Sequence, residues 1–392
     1  PPHTVCSTHA LAFRAALHHP ETALTSAKLG SPSPAITFFP TPRPMDSLAL
    51  SHFFVPADAN LAGNVHGGTI LKLVEKAGWV ASSRYCADAF TSAPAMVTAR
   101  LDNMSFLAPI HIGELGKLDA KVTYTSPHSM RVNVDVYAEN LKTGETRLAN
   151  SASVWYVAME KMSSRRPSLG IGLGDAVPRW RVATIPQMPP NADNPLWAEG
   201  HALYEARQAA DGESKTPLET AGSSWSPLPV CPEHAAESHA VARGTTQLVQ
   251  LMGVSSGVTA ARDSPVAGGF VAKLMDECAG ICAFRHCGTN VVTASLDAVD
   301  FLVPIYKGNL VTITARPVFT SSKSMEIEVL VEAEDMMRGR IPAIHAMFTF
   351  VSLDREGKAL PMPALVLKTD DERAQFEAGK ARYEARKAAR VA

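Results

Sequence analysis

Gly67-Gly68-Thr69-Ile70-Leu71-Lys72-Leu73-Val74-Glu75 and Gly268-Gly269-Phe270-Val271-Ala272-Lys273-Leu274-Met275-Asp276 are one segment written twice, 201 residues apart. The glycine pair, the lysine and the carboxylate coincide, and Arg84 and Cys86 fall on Arg285 and Cys287 at the same offset. After a small length change, residues 96–113 match residues 291–308 at 10 of 18 positions, far above chance. The agreement continues through the Thr-Ser and Ser-Met pairs at Thr125-Ser126, Ser129-Met130 and Thr320-Ser321, Ser324-Met325, and both copies close on an apolar run ending Tyr156-Val157 or Phe350-Val351. Self-similarity at this scale marks a repeated structural unit. The same domain is present twice. A shorter echo, Tyr204-Glu205-Ala206-Arg207 against Tyr383-Glu384-Ala385-Arg386, predicts that a helix rich in strong helix formers follows each copy.

Each copy reads as one helix followed by several strands. The runs 69–86 and 270–287 are apolar on nearly every face, which predicts a helix buried all round. Downstream, Val132, Val134 and Val136 alternate with polar residues, as do Ile327, Val329 and Val331. That is strand periodicity. Residues 118–124 and 312–318 alternate less cleanly. The expected class is α+β, with a buried central helix wrapped by an antiparallel sheet in each copy. Residues 163–240 hold much of the chain's Pro and Gly and read as a linker around a helix. The expected division is an N-terminal extension at 1–49, domains at 50–162 and 241–355 separated by that linker, and a helical tail at 356–392.

At 392 residues and 46% apolar content the chain can build two packed cores. Its 37 basic and 38 acidic side chains leave a net charge of −1, so no overall field favours nucleic acid or an anionic membrane. A polyanionic ligand would need a local patch. Apolar runs are broken well before the ~18 residues of a membrane span, and no membrane insertion is expected. The six cysteines lack a C-x-x-C pair and read as reduced, buried thiols of an intracellular protein. Cys278, Cys282, His286 and Cys287 lie close in sequence but match no standard zinc spacing, so no metal is expected. The first 44 residues carry Arg14, Lys28 and Arg43 against Glu21 alone, which suits a mitochondrial transit segment or a disordered extension. Met45 is a candidate start for a shorter cytosolic form, and a cytoplasmic location is the expectation.

The glycine pair opens each helix, where N–H groups lack partners and the positive end of the macrodipole points outward. Such a place suits an oxyanion. Glu75 follows Gly68 by seven residues and Asp276 follows Gly269 by seven, about two turns, which puts acid and glycines on one helix face. A lone acid on an apolar helix needs a partner or a task; a buried ion pair is the structural alternative. His66 precedes the first glycine pair, but its counterpart is Ala267. A supporting or capping role fits it better than a base common to both copies.

At these residues a resemblance emerges. Asp58-Ala59-Asn60, Gly63-Asn64-Val65-His66-Gly67-Gly68, Lys273-Leu274-Met275-Asp276 and the run from Ser322 through Lys323, Ser324 and Met325 to Val331 resemble the tandem hotdog family of brain-type cytosolic acyl-CoA hydrolases. The likeness covers about residues 50–390 and is weakest over 163–241. It implies two tandem hotdog domains packed as a pseudo-dimer with the active site between them. It further implies hydrolysis of medium to long-chain acyl-CoA to free fatty acid and CoA, a place in fatty-acid and lipid metabolism, and a homo-oligomer resembling a trimer or hexamer of double hotdog units. A grouping with serine esterases accompanies it. CoA is then part of the substrate, and no cofactor is implied. The family's catalytic pair falls on Asn60 and Asp276, with the N–H of Gly68, and of Gly67, for the oxyanion and His66 in support. Glu75 and Gly269 would form a vestigial site, since the Asn60 position recurs as Ala261. Lys323 and Ser324, in a turn, would meet CoA phosphates or only solvent. The competing readings are a hotdog acyl-CoA hydratase or dehydratase, which would pair His66 with Asp276, and a non-catalytic acyl-CoA sensor.

Overall fold

Two helices too hydrophobic to face water sit at the centre of the fold. The computed structural model describes residues 47–60, 63–87, 94–161, 180–213, 239–257, 264–335, 339–354 and 356–389. The extension before residue 47, including Met45, most of the expected linker and Ala261 lie outside the described residues. The first copy comprises β1 (Ser47–Phe53), α1 (Gly67–Cys86), β2 (Ala95–Leu101), β3 (Met104–Phe106), β4 (Leu115–Thr125), β5 (Ser129–Glu139) and β6 (Thr146–Lys161). After β7 (Trp180–Val182), α2 (Pro195–Glu213) and the short α3 (Val241–Gly244), the second copy repeats the order. Its elements are β8 (Thr246–Leu251), α4 (Gly268–Cys287), β9 (Asn290–Leu296), β10 (Val299–Phe301), β11 (Leu310–Thr320), β12 (Ser324–Asp335) and β13 (Gly339–Leu353), and α5 (Asp370–Ala389) follows.

Among the described residues every strand pair is antiparallel, and each copy's strands flank its own helix. The copies are joined twice by equivalent strands. Leu101 and Arg100 of β2 pair with Val299 and Asp300 of β10, and Met104 and Ser105 of β3 pair with Leu296 and Ser295 of β9. The 13 strands of the described residues therefore form one continuous sheet, and α1 packs against α4. This is the expected α+β architecture of two fused units.

The uneven alternation in two strands has a local cause. β4 slips register between Val122 and Tyr124, and β11 slips between Pro317 and Phe319, its counterpart positions. A bulge inserts one residue and shifts the pleat; in β4 the alternation of buried and exposed positions up to Val122 gives way to four buried residues in a row. Pro317, which cannot donate a ladder hydrogen bond, sits at the bulge where strands tolerate it.

The repeated tail helices dock on their own copies in the same way. Gly200 of α2 faces Tyr124, and Gly379 of α5 faces Phe319, its counterpart; a Cβ on Gly379 would stand 2.5 Å from Phe319 Cβ. Alanine would favour an open helix by about 1 kcal/mol. Here it forces α5 off the sheet. Gly379→Ala should lower unfolding stability by about 1–3 kcal/mol, read as a lower urea midpoint, and a raised midpoint would refute this packing.

The thiols of α4 are structural. Cys278 and Cys282 are buried, Cys278 Sγ approaches the carbonyl oxygens of Thr246 and Ile313 at 3.5 Å, and burial pushes its pKa up to about 12. His286 Nε2 bonds to the Pro363 carbonyl at 3.0 Å rather than joining the cysteines. Among the described residues no helix is long and apolar enough to cross a membrane.

Candidate active site

The start of α1 meets the second turn of α4, and a carboxylate lies between them. Asp276 is fully buried. Its Oδ2 accepts the Gly68 N–H at 2.5 Å and its Oδ1 accepts the Thr293 hydroxyl at 2.6 Å, while His66 Nδ1 lies 2.8 Å from Oδ2. Glycine is required here by proximity. A Cβ on Gly68 would stand 2.9 Å from the Lys273 carbonyl oxygen, and one on Gly67 would stand 2.8 Å from Thr293 Oγ1 and 3.1 Å from Asp276 Oδ2.

His66 Nδ1 also lies 3.2 Å from the Gly68 nitrogen, but it cannot accept that proton and donate to Asp276 together. The shorter, charge-assisted contacts decide: Gly68 donates to the carboxylate and Nδ1 carries a proton toward it. Burial alone would lower the imidazole pKa, yet the hydrogen bond and charge of Asp276 outweigh it and the net direction is upward. The Gly68 N–H, expected to face an oxyanion, donates to Asp276 in this structure. Gly67, the first residue of α1, has no acceptor for its N–H among the described hydrogen bonds.

The related site around Glu75 is built from the counterpart residues but satisfied differently. Thr98 Oγ1 donates to Glu75 at 2.7 Å, and the N–H groups of both Gly269 and Gly268 reach its carboxylate. The extra methylene of Glu lets one acid occupy both helix-opening donors, leaving neither for a ligand. Burial raises the Glu75 pKa, and the three donors only partly oppose it. Folded Glu75 therefore keeps its proton at pH values where the unfolded chain has lost it, so stability falls as pH rises. Relative to Glu75→Gln, the wild type should lose stability from the ordinary glutamate pKa upward, measured by urea unfolding between about pH 4 and 8. A pH-independent difference would count against it.

Two cavities meet at the Asp276 site, both lined by Asn60, Gly67 and Thr293. One, of about 590 Å³, runs past Asn64, Phe106 to His111, and Asp354, Glu356 and Gly357, and mixes polar with apolar walls. The other, of about 430 Å³, is walled mainly by Leu248, Ile281, Phe284, Val291 and Phe350. The counterpart of the larger one, beside Thr98 and Gly268, shrinks to about 150 Å³. Val303 and Tyr306 there replace the smaller Ala108 and His111. Asn60 Oδ1 accepts the Asn64 N–H at 3.1 Å, which fixes which end of the amide is the donor.

The structure thus gathers Asn60, His66, Gly67, Gly68 and Asp276 in one place and Glu75 with Gly269 in another. It does not bring Lys323 and Ser324 to either cavity. Ser324 Oγ instead bonds Ser321 Oγ at 2.8 Å and the Lys323 N–H points to Ser321 Oγ, repeating the Ser126–Ser129 turn of the first copy at 2.7 Å. The motif is duplicated because the hairpin needs it. Among the described residues neither cavity wall contains a serine, and the buried group behind them is a carboxylate, which corrects the serine-esterase grouping. Thr293 and Thr98 escaped the sequence reading although they sit in the identical Val-Thr-Ala triplets of both copies; a hydroxyl set beside each buried acid was the available signal.

A family model described as the thioesterase superfamily matches residues 62–145 and 266–339. The cytosolic acyl coenzyme A thioester hydrolase of Rattus norvegicus is 40% identical over 354 residues, covering 89% of this chain and 85% of the relative. The Homo sapiens protein of the same name is 40% identical over 341 residues, covering 86% and 82%. Among solved structures, an acyl-CoA hydrolase from Staphylococcus aureus in complex with butyryl coenzyme A, coenzyme A and coenzyme A disulfide is 30% identical. It covers 39% of this chain and 92% of that one, with a TM-score of 0.36. With two matched thioesterase segments and this identity along most of its length, the chain belongs to the tandem hotdog family of acyl-CoA thioester hydrolases.

Proposed function

We propose that the chain hydrolyses medium to long-chain acyl-CoA at one composite site per molecule, formed by Asn60 and Gly67 of the first copy with Asp276 of the second. The observation that carries this reading is a buried carboxylate, held by Gly68, Thr293 and His66, directly behind the glycine where two cavities meet. Asp276 takes a proton from water as general base, and the hydroxide oxygen attacks the thioester carbon. Asn60 orients the water or the carbonyl. The carbonyl electron pair moves to oxygen, where the Gly67 N–H at the helix start receives it. Collapse breaks the C–S bond, and the CoA thiolate leaves with the proton returned to it. Gly68 and Thr293 hold the base in place.

The 2.8 Å His66–Asp276 contact is also what a hydratase would use, so the assay must separate the two reactions. The purified protein should release thiol from palmitoyl-CoA and fail to hydrate crotonyl-CoA, and Asn60→Ala should lose on the order of 10²-fold in thiol release. Hydration of crotonyl-CoA without thiol release would overturn the reading. The cytosolic naming of the relatives supports a cytoplasmic location. Exposed Phe53 on β1, with Val249 and Leu251 on β8, supports association into a homo-oligomer through the sheet edges.

A further inference from the structure

Helix α4 turns one stripe to the 430 Å³ cavity: Glu277, Gly280, Ile281 and Phe284 line it, at the i, i+3, i+4, i+7 spacing of a single face. Gly280 is the unusual member. Glycine weakens a helix interior relative to alanine, and packing does not demand it here. A Cβ at this position would meet only the Phe350 ring, at an ordinary 3.9 Å. At Gly67, Gly68, Gly268 and Gly269 the same construction brings a neighbour under 3.0 Å. What the missing side chain leaves at 280 is cavity.

The first copy shows what closes that space. The offset that aligns Glu75 with Asp276 puts Trp79 on Gly280. Trp79 packs against the core, and its Nε1–H donates to the Met96 carbonyl at 3.1 Å. Met96 is the counterpart of Val291, which lines the cavity in the second copy. The indole therefore lies over the strand position that Val291 leaves open.

We propose that Gly280 is the specificity-determining residue of the acyl subsite. Its absent side chain admits a straight apolar acyl chain from Thr293 along α4, and Trp79 blocks the equivalent path beside Glu75. The inference rests on the reading that the thioester sits at Asn60, Gly67 and Asp276. The cavity's far wall does not cap chain length, because Ile281 and Phe284 are 44% and 42% exposed. Long chains can continue between them.

The test is thiol release by the full chain from acetyl-, octanoyl- and palmitoyl-CoA with Gly280→Ala, Gly280→Leu and Gly280→Trp. Alanine, which adds one methyl to the cavity, should lower kcat/KM for palmitoyl-CoA by less than leucine does. Leucine and tryptophan should lower kcat/KM for palmitoyl-CoA by about tenfold or more, with tryptophan also impairing octanoyl-CoA and acetyl-CoA spared by both. Equal rates at every length in all variants would overturn the proposal. So would a folded Gly280→Leu protein that loses all lengths alike, since the residue would then act on the chemistry. If Gly280→Trp does not fold, the alanine and leucine pair decides. Failure of the wild type to release thiol from any of the three would instead sink the hydrolytic site itself.

Discussion

Asp276→Ala should reduce turnover of palmitoyl-CoA by several hundredfold or more, about 3–4 kcal/mol of transition-state stabilisation, while circular dichroism reports a folded chain. The size follows from the geometry. Asp276 is the carboxylate directly behind the shared wall of the two cavities, and removing it leaves the Gly68 N–H, the Thr293 hydroxyl and the His66 imidazole aimed at nothing. Glu75→Gln is the internal control. Its carboxylate is spent on Thr98 and on both helix-opening N–H groups, beside a cavity about a quarter the size of its counterpart, so turnover should change only a few-fold. Should Glu75→Gln abolish thiol release while Asp276→Ala retains it, the roles of the two sites are reversed and the proposed mechanism is lost.

Gly67→Ala should be nearly as damaging to turnover, on the order of 10²-fold, and Gly268→Ala nearly silent. A methyl group at 67 would stand 2.8 Å from Thr293 Oγ1 and 3.1 Å from Asp276 Oδ2, so both must move, and it would enter the junction of the two cavities. A shift of about 1 Å in a reacting group is enough for a loss of that size. At 268 the methyl would press on Thr98, 2.7 Å away, in the site that the proposed mechanism does not use. Both variants should lose some stability. Steady-state kinetics of the pair separates the packing penalty they share from the catalytic loss only one should show, and equal kinetic losses would defeat the assignment.

Much of this arrangement was legible in the chain because duplication supplies its own control. The buried helices were readable from their uniformly apolar faces, and the acid positions from their spacing to the glycines. The less regular strands were not misread so much as incomplete, since a bulge at Val122 and Pro317 depends on strand partners that periodicity does not contain. Which N–H group the acid would occupy was beyond reach for a similar reason. One methylene of side-chain length, at Asp276 against Glu75, decides whether Gly67 keeps an open donor, and that depends on the separation of α1 and α4. Lys323 and Ser324 were legible as a turn meeting CoA phosphates or only solvent, and the Ser321–Ser324 hydroxyl contact that shapes that turn needed the hairpin to form. The two threonines needed the sheet to fold before their hydroxyls met the acids.

The double junction of β2 with β10 and β3 with β9 has a thermodynamic consequence. Two separate subunits meeting through those strands would unfold at a midpoint that rises with protein concentration, and dilution would dissolve the shared site. Here both partners belong to one molecule, so the encounter is intramolecular and its effective concentration is set by the connecting chain. The composite site should survive dilution to the most dilute assay, with turnover per chain independent of concentration as far as the pairing of the two copies is concerned.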